Sequence, residues 1–129
     1  MNKVSFARTF CAAALLSIAS LAGAGEAAFT PAAFEHALAA GSPTIIHFRA
    51  PWCPTCRAQK PVVDALLQEP KRKDVTLFAA DYDSETALKQ RLRVAQQSTF
   101  IVFKGGKEVA RSTGETRKEA IAALFDKAL

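Results

Sequence analysis

Cys53 and Cys56 stand two residues apart in the stretch APWCPTCRAQKP, residues 50–61. Two cysteines at this spacing serve thiol–disulfide exchange, form half of a metal site, or act as a structural staple. A structural zinc wants four ligands, usually two such pairs or added histidines. Only His36 and His47 exist, neither at finger-like spacing. A staple closing so short a loop removes little entropy from the unfolded chain. Exchange is the leading reading, and it requires a thiolate, which a free cysteine near pH 7 mostly is not.

The pattern after the pair supplies one. Residues 53–69 read as a helix, with Val62, Val63, Leu66 and Leu67 on one face and Pro70 as the stop. Cys53 then sits at the helix N-terminus, where the dipole and unpaired N–H groups favour an anion. Pro54 suits the first turn because it has no N–H to leave unpaired, so the amides of Thr55 and Cys56 are the expected donors. Arg49 and Arg57 add positive potential if they point inward. Cys53 is read as the attacking sulfur, and Cys56, a turn further in, as the one that resolves the mixed disulfide. Trp52 either shields the pair and offers a contact surface or is a packed aromatic at a strand end.

The elements that must hold this pair alternate along the chain. Thr30-Pro31 starts a helix, with Phe29 and Phe34 spaced for a staple across the cap and Gly41 placed to end it. Residues 44–48 (TIIHF) and 75–80 (VTLFAA) read as buried strands. Leu88 and Leu92 mark a third helix, begun by Asp83 or Ser84. Residues 99–103 and 107–111 flank Gly105-Gly106 as a hairpin. Thr116 and Glu119 read as the capping box of a last helix holding Ile121, Leu124 and Phe125. The order implies an α/β fold, a mixed sheet covered by helices on both faces. The cysteine pair falls at the end of the first central strand, where such sheets place their chemistry.

The N-terminus speaks for the compartment. Lys3 and Arg8 precede an uncharged apolar run, residues 10–22, and Ala22-Gly23-Ala24 offers the small residues of a cleavage site. We expect residues 1–24 to be an export signal and residues 25–129 to be one domain in the bacterial periplasm; the alternative is a retained anchor. No cysteine follows the small residues, so a lipid anchor is not expected. Cleavage removes Cys11 and leaves one pair in an oxidising compartment. Loss of Lys3 and Arg8 takes the formal charge from +5 to +3. The one basic run, Lys71-Arg72-Lys73, reads as a solvated loop, and no basic–aromatic interleaving suggests nucleic acid.

Together, W-C-P-T-C, Pro61 five residues after the second cysteine, Asp83, the F-K-G-G-K hairpin and Gly114 resemble the thioredoxin-fold family from about Phe29 to Leu129. The resemblance implies a thioredoxin-like fold and a redox-active Cys53–Cys56 disulfide with no other cofactor and no metal. It also implies protein thiol and disulfide substrates and a monomer. The C-P-T-C tetrad is similar to that of periplasmic reductases of cytochrome c maturation, although the chain is too short for their usual insertion. That similarity leans towards a reductant kept reduced by a membrane thiol–disulfide donor.

Three positions depart from the family pattern. His47 stands where thioredoxins carry a buried aspartate, and reads equally as a proton exchanger or as a neutral core histidine bonded to a carbonyl. Ala79 replaces the lysine that pairs with that aspartate. Ser98, before Thr99, replaces the cis-proline that faces the cysteines, and the geometry of its peptide bond is left open. An exported thiol–disulfide oxidoreductase is the favoured function. The alternative is a binding module holding Cu(I) on the two thiolates, or capturing unfolded chains.

Overall fold

The described part of the protein, residues 25–129 of a computed structural model, opens on a strand that its sequence hides. The expected export signal lies outside the described residues. Strand β1 (Gly25–Ala28) is followed by α1 (Pro31–Ala39), β2 (Thr44–Arg49), α2 (Pro54–Leu67), β3 (Thr76–Asp81), α3 (Thr86–Leu92), β4 (Thr99–Lys104), β5 (Lys107–Thr113) and α4 (Lys118–Asp126). The strands form one sheet in the order β1-β3-β2-β4-β5. β3 runs parallel to β1 and β2, while β4 is antiparallel to β2 and to β5. The mixed sheet expected from the alternating elements is therefore present, with one added edge strand.

Period-two alternation divides the core. Ile45, Leu77, Phe100 and Val102 pack with Val63 and Leu66 of α2 and Ile121, Leu124 and Phe125 of α4. Ile46, Phe48, Phe78, Ile101 and Phe103 pack with Phe34 of α1 and Leu88 of α3. Thr30 caps α1 by accepting from the Ala33 amide at 3.2 Å, and the Phe29 and Phe34 rings lie 5.7 Å apart across that cap. In the hairpin, Gly105 and Gly106 both take positive φ, at 58° and 77°. A Cβ on Gly106 would meet the Leu38 carbonyl oxygen at 2.6 Å, so the turn also requires glycine for space.

Three expectations are corrected. The third helix begins at Thr86 rather than at Asp83 or Ser84. The Asp81 carboxylate takes the Ser84 amide (2.8 Å) and hydroxyl (3.0 Å), and this local turn delays the helix. The last helix has no Thr116–Glu119 box: it starts at Lys118 behind Arg117, with no side-chain cap. Glu115 instead accepts from the amides of Thr116 and Arg117 at 3.0 and 2.9 Å. Arg72 is not solvated. It is buried in a 3-10 turn (Pro70–Arg72), where it bonds Glu69 and meets Asp126 Oδ1 at 2.6 Å, tying the turn to the end of α4.

Candidate functional site

The turn between β2 and α2 closes with the Cys53 amide donating to the Ala50 carbonyl at 3.2 Å. This leaves Cys53 as the N-cap of α2, in extended conformation, with Pro54 in the first turn. Cys53 Sγ accepts from the Cys56 amide at 3.1 Å, which is the capping bond that favours negative charge on that sulfur. Of the two donors expected, Cys56 is the one observed in this role. The pair is a disulfide, with its Cα atoms 5.3 Å apart.

Both cysteines are covered: Cys53 is 0 % exposed and Cys56 is 5 %. Ala50 and Tyr82 pack around the pair, and the Tyr82 hydroxyl donates to the Ala95 carbonyl. Trp52 is 54 % exposed, and its indole N–H donates to Asp83 Oδ2 at 2.8 Å. That bond spans 31 residues and holds the ring at the surface beside the pair.

Ser98 faces the sulfurs. Its hydroxyl lies 3.2 Å from Cys53 Sγ and 3.4 Å from Cys56 Sγ. The described residues contain no cis peptide bond, so the bond before Ser98 is trans, and Ser98 itself takes φ +61°. Proline, whose ring fixes φ near −65°, does not fit this backbone. The Ser98 carbonyl accepts from the Gly114 amide at 3.0 Å. Thr99 turns away from the sulfurs, donating to the Gln96 carbonyl and meeting the Thr113 hydroxyl at 2.9 Å.

Gln59 is the residue that sequence reasoning missed. It is buried on the inner stripe of α2 with Cys56, Val63 and Leu66, and that stripe of apolar spacing with one amide in it was the available signal. Its Nε2 donates to the carbonyls of Ser98 (3.2 Å) and Glu115 (2.9 Å). Only an NH2 group can face two carbonyls, so Oε1 is the atom 2.9 Å from His47 Nε2. His47 must therefore carry its proton on Nε2 and donate it. His47 also stacks on Phe100 at 4.2 Å, and its Nδ1 is buried without a partner. Burial pushes its pKa down from 6.5 to about 4, against the Gln59 hydrogen bond, which raises it. His47 is thus a neutral donor to a side-chain carbonyl near pH 7, joined to the sulfurs through Gln59 and Ser98.

The thioredoxin family model matches residues 26–127. Thioredoxin of Chlamydia trachomatis is 36% identical over 94 residues, covering 73% of this chain and 89% of that protein. Thioredoxin 1 of Synechococcus elongatus is 31% identical over 104 residues, covering 80% and 96%. Among solved structures, Trxlp from Edwardsiella tarda superposes with a TM-score of 0.76 at 36% identity, covering 78% of this chain and 98% of that one. Fold, dicysteine pair and relatives agree: the chain belongs to the thioredoxin family of thiol–disulfide oxidoreductases.

Proposed function

We propose that the protein is an exported, periplasmic reductase of protein disulfides that works as a single chain through Cys53 and Cys56. A membrane thiol–disulfide donor returns the pair to the dithiol. The observation that carries the exchange chemistry is the capped sulfur of Cys53, held by the Cys56 amide and faced by the Ser98 hydroxyl, while the reducing direction rests on the C-P-T-C similarity. Both donors stabilise a thiolate there once the disulfide is opened.

Cys53 thiolate attacks one sulfur of the substrate disulfide, forming a mixed disulfide and releasing the first substrate thiolate. Cys56 then attacks Cys53 Sγ, the second substrate sulfur leaves, and the proton of Cys56 goes with it. The net change is one substrate disulfide reduced and the protein dithiol oxidised. Neutral His47 does not act as the base for Cys56; through Gln59 it holds the Ser98 carbonyl in register. The exposed Trp52 ring offers substrate an aromatic contact next to the pair.

Trapping in cells tests this. The Cys56→Ser variant should accumulate mixed disulfides with exported proteins through Cys53, and the Cys53→Ser variant should accumulate almost none. The measured reduction potential should lie on the reducing side, near that of thioredoxins at about −270 mV. A potential near −120 mV, or a trap that works only through Cys56, overturns the reading.

A further inference from the structure

A cleft of about 730 Å³ runs between the β1–β3 edge of the sheet and α2 from Cys56 to Asp64, and it reaches Cys56 but not Cys53. Its volume lies within the range of small-molecule sites. Neither Trp52 nor Ser98 lines it, so it is a separate approach to the pair. Small side chains make the space: Ala28 and Ala79 are register partners on adjacent strands.

We propose that this cleft admits a small zwitterionic thiol, of the size and charge of a cysteine-containing tripeptide, to react directly at Cys56. The inference rests on the exchange chemistry proposed above but assigns it a second entrance and a second class of reactant. Two charges on the rim fit such a molecule. Arg57 donates only to the Pro51 carbonyl, at 3.2 Å, and has no carboxylate in ion-pair contact among the described residues. The Asp81 carboxylate bonds Ser84 within its own turn and, although Lys89 lies near enough to act on it, has no cation in ion-pair contact among the described residues. The other charges on the walls are paired, Arg49 with Glu26 at 2.7 Å and Lys60 with Asp64 at 2.7 Å. Arg57 suits a ligand carboxylate and Asp81 a ligand ammonium.

The chemistry also favours Cys56 as the sulfur attacked. The small thiolate bonds to Cys56 Sγ, the Cys53–Cys56 bond breaks, and Cys53 leaves as the thiolate that the Cys56 amide stabilises. The better-stabilised thiolate leaves faster. A second small thiolate then attacks the sulfur of the first, giving the small disulfide and releasing Cys56. Two small thiols are oxidised and the protein disulfide is reduced.

The test uses the oxidised protein with excess reduced glutathione, quenched by an alkylating agent and mapped by peptide mass spectrometry. Glutathione should be found on Cys56, with Cys53 alkylated. Arg57→Ala should slow the reaction about threefold, as loss of one exposed ion pair implies, while the rate with uncharged 2-mercaptoethanol stays unchanged. Ala79→Leu should block both thiols; where it fails to fold, Arg57→Ala and the peptide map carry the test. Glutathione found mainly on Cys53, or an equal effect of Arg57→Ala on both thiols, overturns the proposal. Reduction of a disulfide-bonded reporter protein, measured in parallel on Ala79→Leu, separates the two readings. Retained reporter reduction with glutathione on Cys53 sinks the cleft alone, and absent reporter reduction in the parent protein sinks the reductase.

Discussion

The two faces of the sheet are built from the same alternating strands and to different ends. Towards α1 and α3 the packed cluster is apolar, with Thr44 and Thr99 at the strand starts, and Phe34 meets Phe29, Phe78 and Phe103 at 5.5 to 5.8 Å between ring centroids. Towards α2 and α4 the apolar cluster is interrupted by His47 and Gln59, whose hydrogen bonds run to Ser98 and so to both sulfurs. A buried polar chain of this kind costs more to leave incomplete than apolar packing does, and in return it fixes one geometry. One face carries stability; the other carries stability and the positions of the reacting atoms.

Breaking the apolar face should give the largest loss of stability with the least effect on chemistry. Phe34→Ala should cost about 4 kcal/mol, as emptied aromatic core positions do. Exchange kinetics of the folded variant should match the parent. Denaturant melts of the oxidised protein, with stopped-flow exchange alongside, would show it. Altered exchange at full folding would mean that the faces are not independent.

The polar face should carry a pH dependence that the apolar face lacks. Unfolded, His47 takes up a proton near 6.5, and folded only near 4. The stability it contributes is present above pH 6.5 and is lost as pH falls towards 4, by about 3 kcal/mol across that window. His47→Gln should flatten this part of the stability–pH curve, whereas Phe34→Ala should shift the curve without changing its slope. Denaturation midpoints at a series of pH values decide it.

The smallest effect belongs to Ser98, at the far end of the polar chain. Ser98→Gly removes a non-glycine residue from positive φ and should stabilise the fold by about 1 kcal/mol. It also removes the hydroxyl beside both sulfurs, so the Cys53 thiolate should be less favoured and its pKa should rise. The pH profile of alkylation in the reduced protein reads that shift. An unchanged profile would confine Ser98 to backbone geometry.

What the sequence disclosed and concealed follows from where the determining forces act. β2, α2 and the Gly105-Gly106 hairpin were legible because β-branched runs, a helical stripe and turn glycines are local signals. β1 was not, since Gly25–Ala28 (GEAA) has no strand-forming side chain and is a strand only because β3 lies beside it. Arg72 read as solvent-facing from its charged neighbours, and its burial depends on Asp126, 54 positions later. At the site, the cysteines and Ser98 were placed by motif and spacing. Gln59 was hidden because each of its partners comes from a distant segment, and Cys53's burial because Tyr82 and Ser98, which help to cover it, do too.

The Gln59 amide has a bearing on time as well as on geometry. Its partners lie at positions 47, 98 and 115, and Ser98 trails Cys53 by 45 residues. As the chain emerges from the ribosome, both thiols are therefore present well before the hydroxyl that faces them. The amide cannot complete its bonds until the turn leading into the final helix has arrived. Until then Cys53 and Cys56 lack the hydroxyl that faces them, and their environment is completed late, when nearly the whole polypeptide has been made.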